Sequence, residues 1–122
     1  MSRAAIKEMP EHERPLSERY RIAANAWVQA DHEARFQEEI KTSRFETMKT
    51  RLLAEATEPM AENKLERIVK SSDEWRDFIL NMVTKRTTAN RLKIDIVEIQ
   101  MLEREQQDRN QTIRAEMRLS GR

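Results

Sequence analysis

Ser71-Ser72-Asp73-Glu74-Trp75 opens a stretch that runs to Arg118 without a proline or a glycine. A serine at a helix N-cap with a glutamate three residues on forms a capping box, here Ser71 with Glu74, in which each side chain satisfies a free backbone N–H. One helix of about 46 residues, on the order of 70 Å long, is expected to follow. Trp75, Phe78, Ile79, Met82, Ala89, Ile96 and Val97 share its broad apolar face at 100° per residue. Arg86, Asn90 and Lys93 interrupt that stripe where apolar residues would belong. From Leu92 to Leu102 the apolar residues go all the way round, so more than one neighbour must cover this segment.

Working outward, Ser17 with Glu18 behind it reads as the N-cap of an earlier helix, and the chain then has neither glycine nor proline until Pro59. Ala23, Ala24, Ala26, Ala30 and Ala34 allow close helix–helix approach around Trp27, and Ile40, Phe45, Met48, Leu52 and Leu53 continue the pattern. Pro59 stops that helix and is placed to begin a short one through Lys70. Residues 1–16, with Pro10 and Pro15, read as a flexible tail. The expected fold is all-α: a long antiparallel hairpin with a short middle helix, with helices at about 17–56, 59–70 and 72–118 in one domain, 17–122. A bend centred near residue 64 would set Trp27 opposite Leu102, Phe36 opposite Lys93 and Phe45 opposite Thr84. Two helices cannot cover the 92–102 segment, so a homodimeric bundle is expected through Ile94, Ile96, Val97, Ile99, Met101, Leu102 and Trp27.

Composition agrees with long helices. Charged residues make up 37% of the 122 and aromatics 5%, too little large apolar surface for a compact core unless helical periodicity organises it. Without cysteine the chain holds no disulfide and no thiolate zinc site, which suits a reducing cytoplasm. No apolar run is long enough for a membrane span, so a soluble, cytoplasmic protein is expected.

The chain shows no phosphate-binding glycine loop, no cysteine nucleophile and no base-paired histidine; Glu38-Glu39 reads as a solvated face. His12 and His32 lack ligand-spaced partners. A non-enzymatic protein is therefore expected, with no metal, no cofactor, no membrane contact and no small-molecule substrate. The net charge of +1 conceals segregation. Lys85, Arg86, Arg91 and Lys93 face no acid between Phe78 and Ile94, while Lys41, Arg44, Lys49 and Arg51 face only Glu46 between residues 40 and 53. Thr42, Ser43, Thr84, Thr87, Thr88 and Asn90 lie among them, short hydrogen-bonding groups suited to phosphate oxygens. This belt can be read as a site for a nucleic-acid backbone or an acidic partner. The structural alternative pairs Arg86, Asn90 and Lys93 with the acidic run Asp31, Glu33, Glu38, Glu39 of a facing helix, fixing register.

Across Ser72-Asp73-Glu74-Trp75-Arg76 and Ala89-Asn90-Arg91-Leu92-Lys93-Ile94, the chain resembles small helical proteins of tailed-phage early regions. The resemblance covers roughly residues 20–115: an Ala-rich first helix, a short middle helix, and a serine-capped long helix. It implies a phage accessory protein of the host cytoplasm, acting near DNA recombination or replication proteins, and carries over no binding residues. Two other readings stand beside it: a protein–protein inhibitor or adaptor, such as one directed at a host nuclease or defence complex, and a structural coiled-coil spacer.

Overall fold

A computed structural model describes residues 2–121. It is all-α, with no strand among these residues. Five helices follow in order: α1 (Arg3–Glu8), α2 (Leu16–Glu39), α3 (Lys41–Glu55), α4 (Glu62–Ser71) and α5 (Asp73–Ser120). Two compact units result, one of Gln29–Ala89 and one of Met1–Val28 with Asn90–Arg122, and both α2 and α5 contribute to each.

The helix ends differ from the sequence reading in instructive ways. The N-cap of α5 is Ser72 rather than Ser71: the Trp75 N–H donates to Ser72 Oγ at 3.3 Å, and the Ser72 hydroxyl donates to the Val69 carbonyl at 2.6 Å. Glu74 is drawn off by Arg51, so no capping box forms with Ser71, whose hydroxyl bonds back to Arg67 and Ile68. Ser17 lies inside the first turn of α2, because the Pro15 carbonyl already accepts from Glu18 and Arg19. Pro59 lies in the connection before α4, whose N-cap is Ala61. The expected first long helix divides at Ile40 (φ −84°, ψ −3°), although the Ile40 N–H still reaches Phe36 O and the Arg44 N–H reaches Ile40 O. No proline or glycine marks this point.

Residues 2–14, expected as a tail, hold helix α1 and a 3-10 turn at Glu11–Glu13. Ser2 caps α1, and the Arg14 guanidinium closes its other end by donating to the carbonyls of Ile6, Met9 and Lys7. A cationic donor satisfying orphan carbonyls at a helix C-terminus also complements the helix dipole.

The core of the Gln29–Ala89 unit is built on Met48, Val69 and Trp75, with Phe45, Leu52, Phe78 and Ile79 packed against them. Trp75 meets Phe45 at 5.0 Å and 57°, and Phe78 at 5.5 Å and 24° between ring planes. Such tilted and offset pairs add to the gain from burial itself. Ala34 and Ala89, also of this unit, are wholly buried, which places small side chains where helix backbones approach closely.

Chain pairing runs antiparallel here, Phe45 facing Trp75 and Asp31 facing Arg86. In the other unit Trp27 faces Lys93 rather than Leu102. These pairs centre close to residue 60, not 64, because the chain already reverses in the connection before α4.

Trp75→Ala should lower unfolding stability by about 3–5 kcal/mol, and Ala89→Leu by about 1–3 kcal/mol through overpacking. Urea titration followed by helical circular dichroism measures both; a change below about 1 kcal/mol in the first would refute the assigned core.

Candidate functional site

The eight belt cations separate into two groups. Arg86 sits beside two carboxylates of α2: Nη1 donates to Asp31 at 2.9 Å, while Nε and Nη2 form a fork on Glu38 at 2.9 and 2.7 Å. Lys85 reaches Glu33 at 3.4 Å. These contacts match the pairing of Arg86 with the acidic run that the sequence suggested, whereas Asn90 and Lys93 are exposed. The guanidinium hydrogen bonds hold the Asp31 and Glu38 carboxyls below their ordinary range and raise Arg86 in turn. Glu33 is lowered by hydrogen bonds from Gln29 and then Lys85.

On α3, Lys49 is buried at 7% exposure and gathers three carboxylates: Glu46 at 3.2 Å, Glu66 at 3.8 Å, and Glu62. The Glu62 hydrogen bond is the main cause raising its pKa. Arg51 pairs with Glu74 of α5. Lys49, Arg51, Lys85 and Arg86 are thus already neutralised by this chain's own acids.

The other four have no carboxylate partner among the described residues. Lys93 lies 4.4 Å from the centre of the Trp27 ring, and Arg44 lies 5.9 Å from that of Phe78. Arg91 and Lys41 are exposed. Lys41 joins Thr42, Phe45, Lys70 and Trp75 around an open concavity whose cations are Lys41 and Lys70. Glu66, four residues before Lys70 on α4, turns to Lys49, and Lys70 lies 5.8 Å from the Phe45 ring centre. Only the tertiary placement of α4 could reveal that.

The residues expected at the dimer contact also divide. Ile96 and Ile99 are buried within the single chain at 4% and 2% exposure, which removes them from any outer surface, and Trp27 is half-buried. Ile94, Val97, Met101 and Leu102 are exposed, from 41% to 58%. Val97 therefore does not share the inner face with Ile96. Beyond Met101 every described residue of α5 is exposed, including Ile113, Met117 and Leu119, which the polar character of 103–110 obscured in the sequence.

Among the described residues no helix is long and apolar enough to cross a membrane. Compared with protein-family models, with curated proteins and with solved structures, the chain finds no match in any of the three.

Because folding lowers the pKa of Asp31 and Glu38, their contribution is present above the ordinary values of 3.8 and 4.5 and is lost as pH falls through the folded ones. The melting temperature should fall between about pH 5 and about pH 3, and less steeply in Arg86→Met, which removes the main cause lowering both carboxyls and leaves Asp31 its pair with Arg35 at 3.0 Å. Equal slopes in the two proteins would contradict the assigned ion pairs.

Proposed function

We propose that this chain is a non-enzymatic protein-interaction module whose contact element is the outer face of α5 from Ile94 through Leu102. One observation carries the reading: three large apolar side chains, Ile94, Val97 and Met101, are exposed together on a helix whose other face is buried by its own chain, with Leu102 exposed on the flank. Exposed apolar side chains gathered in this way mark interaction surfaces more often than single exposed ones do. Neutralisation of half the basic belt by internal acids favours this reading over a belt-wide nucleic-acid site.

Ile94→Glu with Met101→Glu should leave the helical content of the chain unchanged, because both positions are exposed on the single chain. The same variant should lose the protein partners that the immobilised parent retains from a cell lysate. Undiminished retention would defeat the reading.

A second reading, binding of an anionic macromolecule such as a nucleic-acid backbone near recombination or replication proteins, is favoured by the unpaired Lys41, Arg44 and Lys70. Fluorescence anisotropy with a labelled duplex at low salt should show binding that weakens at least tenfold in the triple glutamine variant. Absence of binding by the parent would end this reading.

A further inference from the structure

Apolar residues encircle α5 between Leu92 and Leu102 because two heptad stripes run along opposite sides of it. Leu92, Ile96 and Ile99 form one, spaced by four and three residues; Ile96 and Ile99 are buried and Leu92 is half-buried. Asn90, Ile94, Val97 and Met101 form the other, spaced by four, three and four residues, and all four are exposed. At 100° per residue the stripes are separated by roughly 160°. The first is covered by the chain itself, while the second carries a coiled-coil seam with no partner among the described residues. Counting back from Asn90 by the same steps reaches Thr87, Val83 and Leu80, each exposed as well.

We propose that this second stripe is the seam of a parallel homodimer in which Asn90 meets Asn90, Ile94 meets Ile94, Val97 meets Val97 and Met101 meets Met101. The proposal rests on the protein-interaction reading above and names its partner as a second copy of this chain. Two features of the stripe select that occupant. In the heptad frame Ile94 and Met101 take a positions, while Asn90 and Val97 take d positions. Lys93 then falls at g and Glu98 at the following e, the pair that meets across a parallel two-stranded seam. Among the described residues neither is paired with an opposite charge, and the one intramolecular partner of Lys93 is the face of the Trp27 ring. At that level the seam is charge-complementary to itself; one heptad earlier the same two positions hold Arg91 and Arg86, the latter already neutralised by Asp31 and Glu38.

Asn90 decides the orientation. A polar amide inside an apolar seam is satisfied when it faces another amide, because its donor and its acceptor then both find partners. Parallel pairing places Asn90 against Asn90. An antiparallel pair centred on the same stripe would place Asn90 against Met101, leaving the amide without a partner. Arg104 and Asp108 occupy the next seam positions, so the apolar part ends at Met101.

The chain has no cysteine, so a single introduced thiol reports the geometry without interference. Multi-angle light scattering of the full chain at micromolar concentration should give twice the 14.5 kDa chain mass. Met101→Cys should form an intermolecular disulfide under mild oxidation, since equivalent positions of a parallel seam are adjacent. Val97→Glu should restore the single-chain mass with unchanged helical circular dichroism, raising the dimer dissociation constant by about a hundredfold or more. A dimeric mass without disulfide formation would overturn the parallel register. A dimer undisturbed by Val97→Glu would overturn the seam. A monomeric parent overturns the second copy as partner, and retention of an external protein lost in Ile94→Glu with Met101→Glu would then leave the broader interaction reading standing.

Discussion

The constraint on which the rest depends is that α5 is apolar on two opposite sides. A helix with one apolar stripe is satisfied by one neighbour; a helix with two needs a second surface. Burial of Ile96 and Ile99 satisfies the first requirement, and exposure of Ile94, Val97 and Met101 leaves the second open. A chain with 5% aromatic residues has few large side chains to spend on both. Concentrating three of them, Phe45, Trp75 and Phe78, in one cluster gives the Gln29–Ala89 unit its core and leaves the outer face of α5 to something else.

Charge is used in the same local way. Near-neutral totals hide a set of pairings that tie elements remote in sequence: Arg86 to α2, Lys49 to α4, Arg51 to the first turn of α5. Arg86 suits its place because a planar fork can serve Glu38 with two nitrogens and Asp31 with a third. Lysine would offer a point charge and lose that geometry. The apolar stem of Lys49 is buried while its ammonium meets three partly exposed carboxylates, so its charge is compensated where it sits.

Helical character was legible in the sequence because glycine- and proline-free stretches with heptad-like spacing leave little alternative. The interruption at Ile40 was not, since no residue at 38–43 is a helix breaker and the backbone hydrogen bonds continue across it. Ser71 and Ser72 are equally good caps by composition; the choice fell to Ser72 because Glu74 has a tertiary partner in Arg51. The all-round apolar segment was visible, but only the structure separates Ile96 and Ile99 from Ile94 and Val97. Periodicity shows that an apolar face exists and is silent on which neighbour covers it. The basic belt was legible as a cluster and not as a surface, because pairing with Asp31, Glu33, Glu38 and Glu62 depends on which acids the fold brings opposite.

Ser72 is a single residue shared between two helices. Its hydroxyl hydrogen goes to the last turn of α4, while its oxygen receives an N–H from the first turn of α5. Neither helix has an end of its own at this joint, so fraying of one removes a bond from the other. Amide hydrogens on the two sides of Ser72 are thereby coupled into one opening event. The corner between α4 and α5 behaves as a single cooperative element, with Trp75 anchored at its base.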